Sequence, residues 1–255
     1  MQSMYLLFFF IFGSVMGSFY GVVGQRLPKG ENFTTSHSEC DDCKETLKLY
    51  DMIPIISYII NRGRCRYCGE KIPVMLPLLE ITTGLLFAVS YYSYGISFDL
   101  LIALGIISLL IIILVSDLLY FIIPDEVIIF FIFYFIIVQF LNLGFNGVCI
   151  KIVNGLFLFL LMYFIMWLGE KIFNRECLGG GDVKLLFIFG LILEPILGVF
   201  SIFLGSLIAL PVAIVILYTN REHMIPFGPF LLISFALIYF SKITTYDFIR
   251  ILGIY

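Results

Sequence analysis

The chain has 255 residues, 61% of them hydrophobic and 13% charged, with a net charge of −3 and a mean hydropathy of +1.08. Ordinary soluble domains are about 45–50% apolar and about 25% charged, so this composition excludes a water-soluble globule. It equally excludes a disordered chain and a basic nucleic-acid binder, and it predicts an all-α polytopic membrane protein.

A crossing helix needs about 20 apolar residues. In chain order eight segments answer that description: 4–24, 76–95, 98–116, 126–142, 149–168, 183–194, 195–218 and 226–241. The sixth is short. Glu194-Pro195 separates it from the seventh, because a helix ends or kinks at proline, and 183–218 is far too long for one crossing. Merging the two would leave a seven-span chain. The first segment has no basic start and does not look like a cleaved signal peptide. Its Gly13, Gly17 and Gly21 repeat at the small-xxx-small spacing of closely packed helices.

Lys and Arg in short loops set orientation. Connection 25–75 carries Arg26, Lys29, Lys44, Lys48, Arg62, Arg64, Arg66 and Lys71. Lys171, Arg175, Lys184 and Arg221 join them on the same side, against Lys151, Lys242 and Arg250 on the other. The expected topology puts 25–75 in the cytoplasm and both termini outside. The expected division is a first membrane helix at 1–24, a cytoplasmic loop domain at 25–75 and a multi-helix membrane domain at 76–255.

Loop 25–75 holds 15 of the 33 charged residues and is too small to build much core, so it needs a staple. Cys40, Cys43, Cys65 and Cys68 form two CxxC knuckles, with 21 residues between Cys43 and Cys65. Two such knuckles close a tetrahedral shell of four thiolates around a structural zinc ion with no open position, and Arg64 and Arg66 would favour the thiolates. Disulfide or redox use is the competing reading, which a cytoplasmic location disfavours. Cys149 and Cys177 read as packing residues, and His37 as a solvated loop histidine.

Ionisable groups at the membrane are default functional candidates, here Glu80, Asp117, Asp125, Asp182 and Glu194. Asp117 closes the third span. Asp182 follows Gly179-Gly180-Gly181 and opens the sixth. Span parity carries both to the cytoplasmic face, where paired carboxylates can share a proton, one activating water while the other donates. A helix N-cap is the competing reading for Asp182 and the better one for Asp125. Three glycines before Asp182 point instead to a close backbone approach to another chain or a ligand. Glu194 lies on the outer side, and Glu80, at the cytoplasmic edge of the second span, either lines the site or snorkels to the surface. The acidic residues Asp41, Asp42, Asp125 and Glu126 read by default as a solvated acidic face.

The ordered motifs resemble the type IV prepilin peptidases, membrane aspartic proteases of the GxGD class. They are Gly17-Ser18-Phe19, Arg26-Leu27-Pro28, the two knuckles, Ile53-Pro54-Ile55-Ile56-Ser57-Tyr58, Pro77-Leu78-Leu79-Glu80, Ser116-Asp117, Ile123-Pro124-Asp125, Gly179-Gly180-Gly181-Asp182-Val183-Lys184 and Ile225-Pro226-Phe227-Gly228-Pro229-Phe230. The resemblance implies a protein of the cytoplasmic membrane that cuts the short basic leader from prepilins or pilin-like secretion and competence proteins after a glycine. It implies catalysis by Asp117 and Asp182, supported by Gly179, Gly180, Gly181 and Lys184. Members with the cysteine loop often also methylate the new amino terminus with S-adenosylmethionine, for which no glycine-rich loop after a strand is visible. The chain departs from the family at Gly21, where asparagine is common, and in the extra Cys177. A channel or transporter is the alternative class, but no inverted repeat is visible and the acidic pair lies at one face.

Overall fold

The computed structural model describes residues 1–32, 39–40, 42–174, 178–219 and 225–251, so His37, Asp41, Arg175, Cys177 and Arg221 lie outside the described residues. Among the described residues there is no strand, only two isolated antiparallel bridges, Glu39 with Thr46 and Arg64 with Lys71. The helices are α1 (Gln2–Arg26), α2 (Ile56–Ile60), α3 (Met75–Tyr94), α4 (Phe98–Tyr120), α5 (Asp125–Phe173), α6 (Gly180–Ile192), α7 (Pro195–Thr219), α8 (Gly228–Ser241) and α9 (Thr245–Ile251). Each of the eight apolar segments falls on helix.

Among the described residues five helices are long and apolar enough to cross a membrane: α1, α3, α4, α5 and α7. The difference from eight has two physical sources. Helix α5 absorbs the fourth and fifth segments into 49 residues, about 74 Å of helix against about 30 Å of hydrocarbon. It is broken at Gly144 (φ 71°, ψ −174°), a conformation essentially reserved for glycine, so a bend replaces the expected loop. Helices α6 and α8 have 13 and 14 residues, short of a crossing length.

The chain forms two compact units, Met1–Leu100 and Leu101–Tyr255. In the first, α1 lies along α3. A Cβ on Gly13 would fall 2.7 Å from Phe87 Cβ, and one on Gly17 would fall 2.8 Å from Thr83 Oγ1 and 2.9 Å from Leu79 O. From the other side, a Cβ on Gly84 would meet Phe10 O at 2.8 Å. These glycines let the two backbones touch, as the small-residue repeat predicts. Gly21 takes no part in that approach, for its nearest neighbour would be Leu79 Cδ1 at 3.6 Å.

In the second unit, α4 packs on the first half of α5, where Tyr134 donates from its hydroxyl to Leu101 O at 2.8 Å. Helix α6 is the core of this unit, buried on nearly all sides from Asp182 to Ile192. Its Phe189 stacks on Phe235 of α8 with ring centroids 4.2 Å apart. Helices α7 and α8 are joined by Ser234, which donates to Ser201 O at 2.7 Å.

Candidate active site

Asp117 and Asp182 come from elements 65 residues apart in sequence and meet inside the second unit. Asp117 sits in the last turn of α4. That helix ends in a tight turn: Phe121 takes a positive φ of 55°, its N–H donates to Asp117 O at 3.0 Å, and the Ser116 hydroxyl donates to Ile122 O. The turn delivers Ile123 beneath two glycines. A Cβ on Gly181 would lie 2.7 Å from Ile123 Cβ, and one on Gly228 would lie 2.9 Å from Ile123 Cδ1 and 3.1 Å from Asp117 Oδ2. The close approach expected of the triple glycine is therefore to this chain's own α4–α5 turn.

Asp182 is the third residue of α6, and Gly179, in extended conformation, is the N-cap. The Asp182 N–H donates to Gly179 O at 3.1 Å, and its carboxylate turns back toward Gly179. Asp182 is thus not the cap. Both carboxylates are buried, each residue 6% exposed, and they lie within electrostatic reach of one another. Asp117 accepts a hydrogen bond from the Gly228 N–H, whereas Asp182 Oδ1 is buried without a partner among the described residues. An orphaned carboxylate oxygen beside a second carboxylate is a place for a shared proton or a bound water, the equipment of general acid–base chemistry.

Lys184 reaches Asp125 with Nζ 2.6 Å from Oδ1 and 2.8 Å from Oδ2. This exposed pair ties the start of α5 to the start of α6. It also corrects the expected role of Asp125: Pro124 is the N-cap of α5 and Asp125 its first residue.

The four loop cysteines converge in the first unit, with their sulfurs all within 4.8 Å of one another and Cys40 Sγ 3.8 Å from Cys68 Sγ. Tetrahedral zinc with about 2.3 Å bonds needs sulfurs about 3.8 Å apart, so the set fits a metal ion. The two knuckles repeat one backbone pattern. Cys40 N–H donates to Glu45 O at 3.0 Å and Cys65 N–H to Glu70 O at 2.7 Å. Lys44 N–H and Gly69 N–H return to the Cys40 and Cys65 carbonyls at 3.0 and 2.9 Å, with φ of 57° and 76°. The backbone N–H groups of Cys68 and Tyr67 hold the Cys65 thiol down to about 7. Arg66 does not serve that purpose, for its Nε pairs with Asp51 Oδ1 at 3.3 Å and its guanidinium lies over the Tyr50 ring.

Glu80 is buried and accepts from the Ile55 N–H at 2.7 Å and from Ser18. Ile55 has φ of 63°, a costly conformation for a β-branched residue, and the Ile56 N–H closes a γ-turn onto Pro54 O at 2.6 Å. The carboxylate thus holds a strained turn between the knuckles and α3. Between them lies a cavity of about 720 Å³ whose walls include Ser18, Arg26, Tyr58, Arg64 and Glu80.

One further expectation is corrected: Cys149 is an exposed free thiol on α5, not a packing residue. Lys151, near the start of the expected segment 149–168, lies within α5 and donates to Ile192 O at 2.8 Å. Gly228 and Ile123 are site residues that no carboxylate or cysteine count singles out; the signal available was their place in the quoted Pro-Phe-Gly-Pro and Ile-Pro-Asp motifs.

Comparison with known proteins matches residues 11–94 to the bacterial peptidase A24 N-terminal domain and residues 104–214 to the type IV leader peptidase family. A prepilin leader peptidase/N-methyltransferase of Klebsiella pneumoniae is 30% identical over 185 residues, 70% of this chain and 81% of that protein. The chain belongs to the type IV leader peptidase family. A family member of the same name from Vibrio cholerae is 29% identical over 256 residues, 94% of this chain and 98% of that one. One from Myxococcus xanthus is 32% identical over 198 residues, 77% of this chain; the match spans about three-fifths of that relative (59%). No solved structure matches the chain. The apolar helices and the family together make this a protein of the inner membrane.

Proposed function

We propose that this family member is a membrane aspartic endopeptidase that removes the short basic leader of type IV prepilins and pilin-like proteins after a glycine, and that it methylates the amine so released. The observation that carries the first part is the buried Asp117–Asp182 pair, with Asp182 Oδ1 unpartnered among the described residues. One carboxylate takes a proton from a water whose oxygen attacks the scissile carbonyl carbon. The other protonates the carbonyl oxygen, and the tetrahedral intermediate collapses as the carbon–nitrogen bond breaks and the amine leaves protonated. Gly228 N–H orients Asp117, and Gly181 lets the start of α6 pack on Ile123 beside it.

Loop 25–75 and both aspartates are assigned to the cytoplasmic side with the termini outside, supported by the twelve-to-three distribution of Lys and Arg. On this reading 1–24 is the first span, 25–75 the zinc loop and 76–255 the peptidase region. Cys40, Cys43, Cys65 and Cys68 would hold one zinc ion, which supplies a cross-link to a loop with little core of its own. For the methyl donor, the cavity beside Glu80 has the size of a small-molecule site and walls of both charges, suited to the zwitterionic S-adenosylmethionine. That donor supplies, when bound, an electrophilic methyl group.

The test incubates purified protein with a prepilin, with and without S-adenosylmethionine, and reads the mass of the mature amino terminus. Leader loss in both arms, with one added methyl group only with the donor, is expected. Intact prepilin in the presence of well-folded protein refutes the peptidase reading.

A further inference from the structure

Helix α6 carries Asp182 at one end, and its other end is held in an unusual way. Thirteen residues rise about 20 Å, so α6 stops short of a membrane's thickness, and it is buried up to its last residue. Its final carbonyls therefore open into protein instead of water, where each unpaired one is costly. Two of them are met by side chains from α5. Gln139 Nε2 donates to Leu191 O at 3.1 Å, and Lys151 Nζ donates to Ile192 O at 2.8 Å. Gln139 is 4% exposed. The two donors stand on opposite sides of the Gly144 break, so both halves of α5 grip one helix end.

The Lys151 ammonium also complements the negative end of the α6 dipole. It lies in the field of Glu194, whose carboxylate accepts from the Thr245 hydroxyl. Close to the clamp the two backbones touch: a Cβ on Gly190 would fall 2.5 Å from Gly155 Cα, and one on Gly155 would fall 2.9 Å from Phe187 O. By contrast, the start of α6 is a run of glycines, steadied by the exposed Lys184–Asp125 pair. Asp182 is thus held from both ends of α6, by the packing of Gly181 on Ile123 beside it and by this clamp at the far end.

We infer that Gln139 and Lys151 are positioning residues for proteolysis: by holding the Leu191 and Ile192 carbonyls they set the height of Asp182 against Asp117. A helix transmits an axial shift along its length, and Asp182 stands ten residues, about 15 Å, from Ile192. This inference rests on the proposed role of Asp182.

The test uses full-length protein in lipid nanodiscs with a prepilin substrate, comparing Gln139→Leu, Lys151→Met, Lys151→Arg and Asp182→Asn for kcat, KM and thermal unfolding. A misplacement of about 1 Å costs about 10²-fold, so Gln139→Leu and Lys151→Met should lose about tenfold or more in kcat with KM unchanged. Lys151→Arg, which keeps a charged donor, should retain most of kcat. Unchanged kcat per folded molecule in both apolar variants, with only a lowered melting temperature, overturns the inference and leaves the clamp purely structural. Should the apolar variants fail to fold, Gln139→Asn decides, since its shorter side chain cannot reach Leu191 O: a lowered kcat supports the inference and an unchanged one overturns it. Residual cleavage by Asp182→Asn would instead refute the assignment of Asp182, a separate failure.

Discussion

Alanine placed at each of the three glycines before Asp182 should give three different outcomes, although the residues are adjacent and chemically identical. Among the described residues a Cβ at Gly180 meets nothing within 4 Å. A Cβ at Gly181 meets Ile123 Cβ at 2.7 Å, and that atom is anchored to the backbone of the α4–α5 turn. Carbon atoms rest at about 3.5–4.0 Å, so the turn and the start of α6 must part by about 0.8 Å. Overpacking of that kind costs about 1–3 kcal/mol, and the displacement falls between the two aspartates, where about 1 Å is worth about 10²-fold in rate. At Gly179 the contact is Asp182 Oδ2 at 3.2 Å, a side-chain tip able to move by the few tenths required. Gly180→Ala should therefore keep full kcat and gain slightly in stability, since alanine has less unfolded-state freedom to lose. Gly179→Ala should lose modestly, and Gly181→Ala should lose one to two orders of magnitude in kcat, read by gel or mass assay of prepilin cleavage beside a melting curve. Equal activity in Gly180→Ala and Gly181→Ala would refute the packing of Ile123 under α6.

Metal analysis of purified protein should find about one zinc per chain, as a closed shell of four thiolates requires. Cys65→Ser should lose it and make loop 25–75 sensitive to protease while the helical circular dichroism persists; a metal-free wild type with an ordered loop would contradict this. Along α1, Gly17→Ala should lower stability by about 1–3 kcal/mol, because its Cβ would press on Leu79 O of the α3 backbone. Gly21→Ala, with 3.6 Å of clearance, should leave the melting temperature unchanged. Breaking the Lys184–Asp125 pair with Asp125→Asn should cost at most about 1 kcal/mol, as both side chains are well exposed.

Much of this architecture follows from local properties and was readable as such. Runs of apolar residues locate helices, CxxC pairs locate thiols, and Gly13 and Gly17 mark a seam between helices. Asp117 and Asp182 stand out because carboxylates are rare in so apolar a chain. What could not be read is partnership across distance. Lys151 counts only as an outer-side cation near the start of segment 149–168 until Ile192 O is seen beside it. Arg66 sits next to Cys65 in sequence, yet turns to Asp51 and Tyr50, and the nearby backbone amides act on the thiol instead. The interruption expected between segments 126–142 and 149–168 falls at Gly144, but that it is a bend in one helix and not a loop could not be read, since a glycine carries no marker of its φ. The role of Glu80 depends on Ile55, 25 residues earlier, adopting a conformation that isoleucine ordinarily avoids.

The most direct test of the account is cleavage of a prepilin by Asp117→Asn and Asp182→Asn protein reconstituted in lipid, with folding verified by melting and by metal content. Asparagine keeps the size of the side chain and removes its acid–base chemistry, so each variant should show no mature pilin while unfolding and binding zinc like the wild type. Mature pilin from either variant at a rate near wild type would contradict the assignment of the pair.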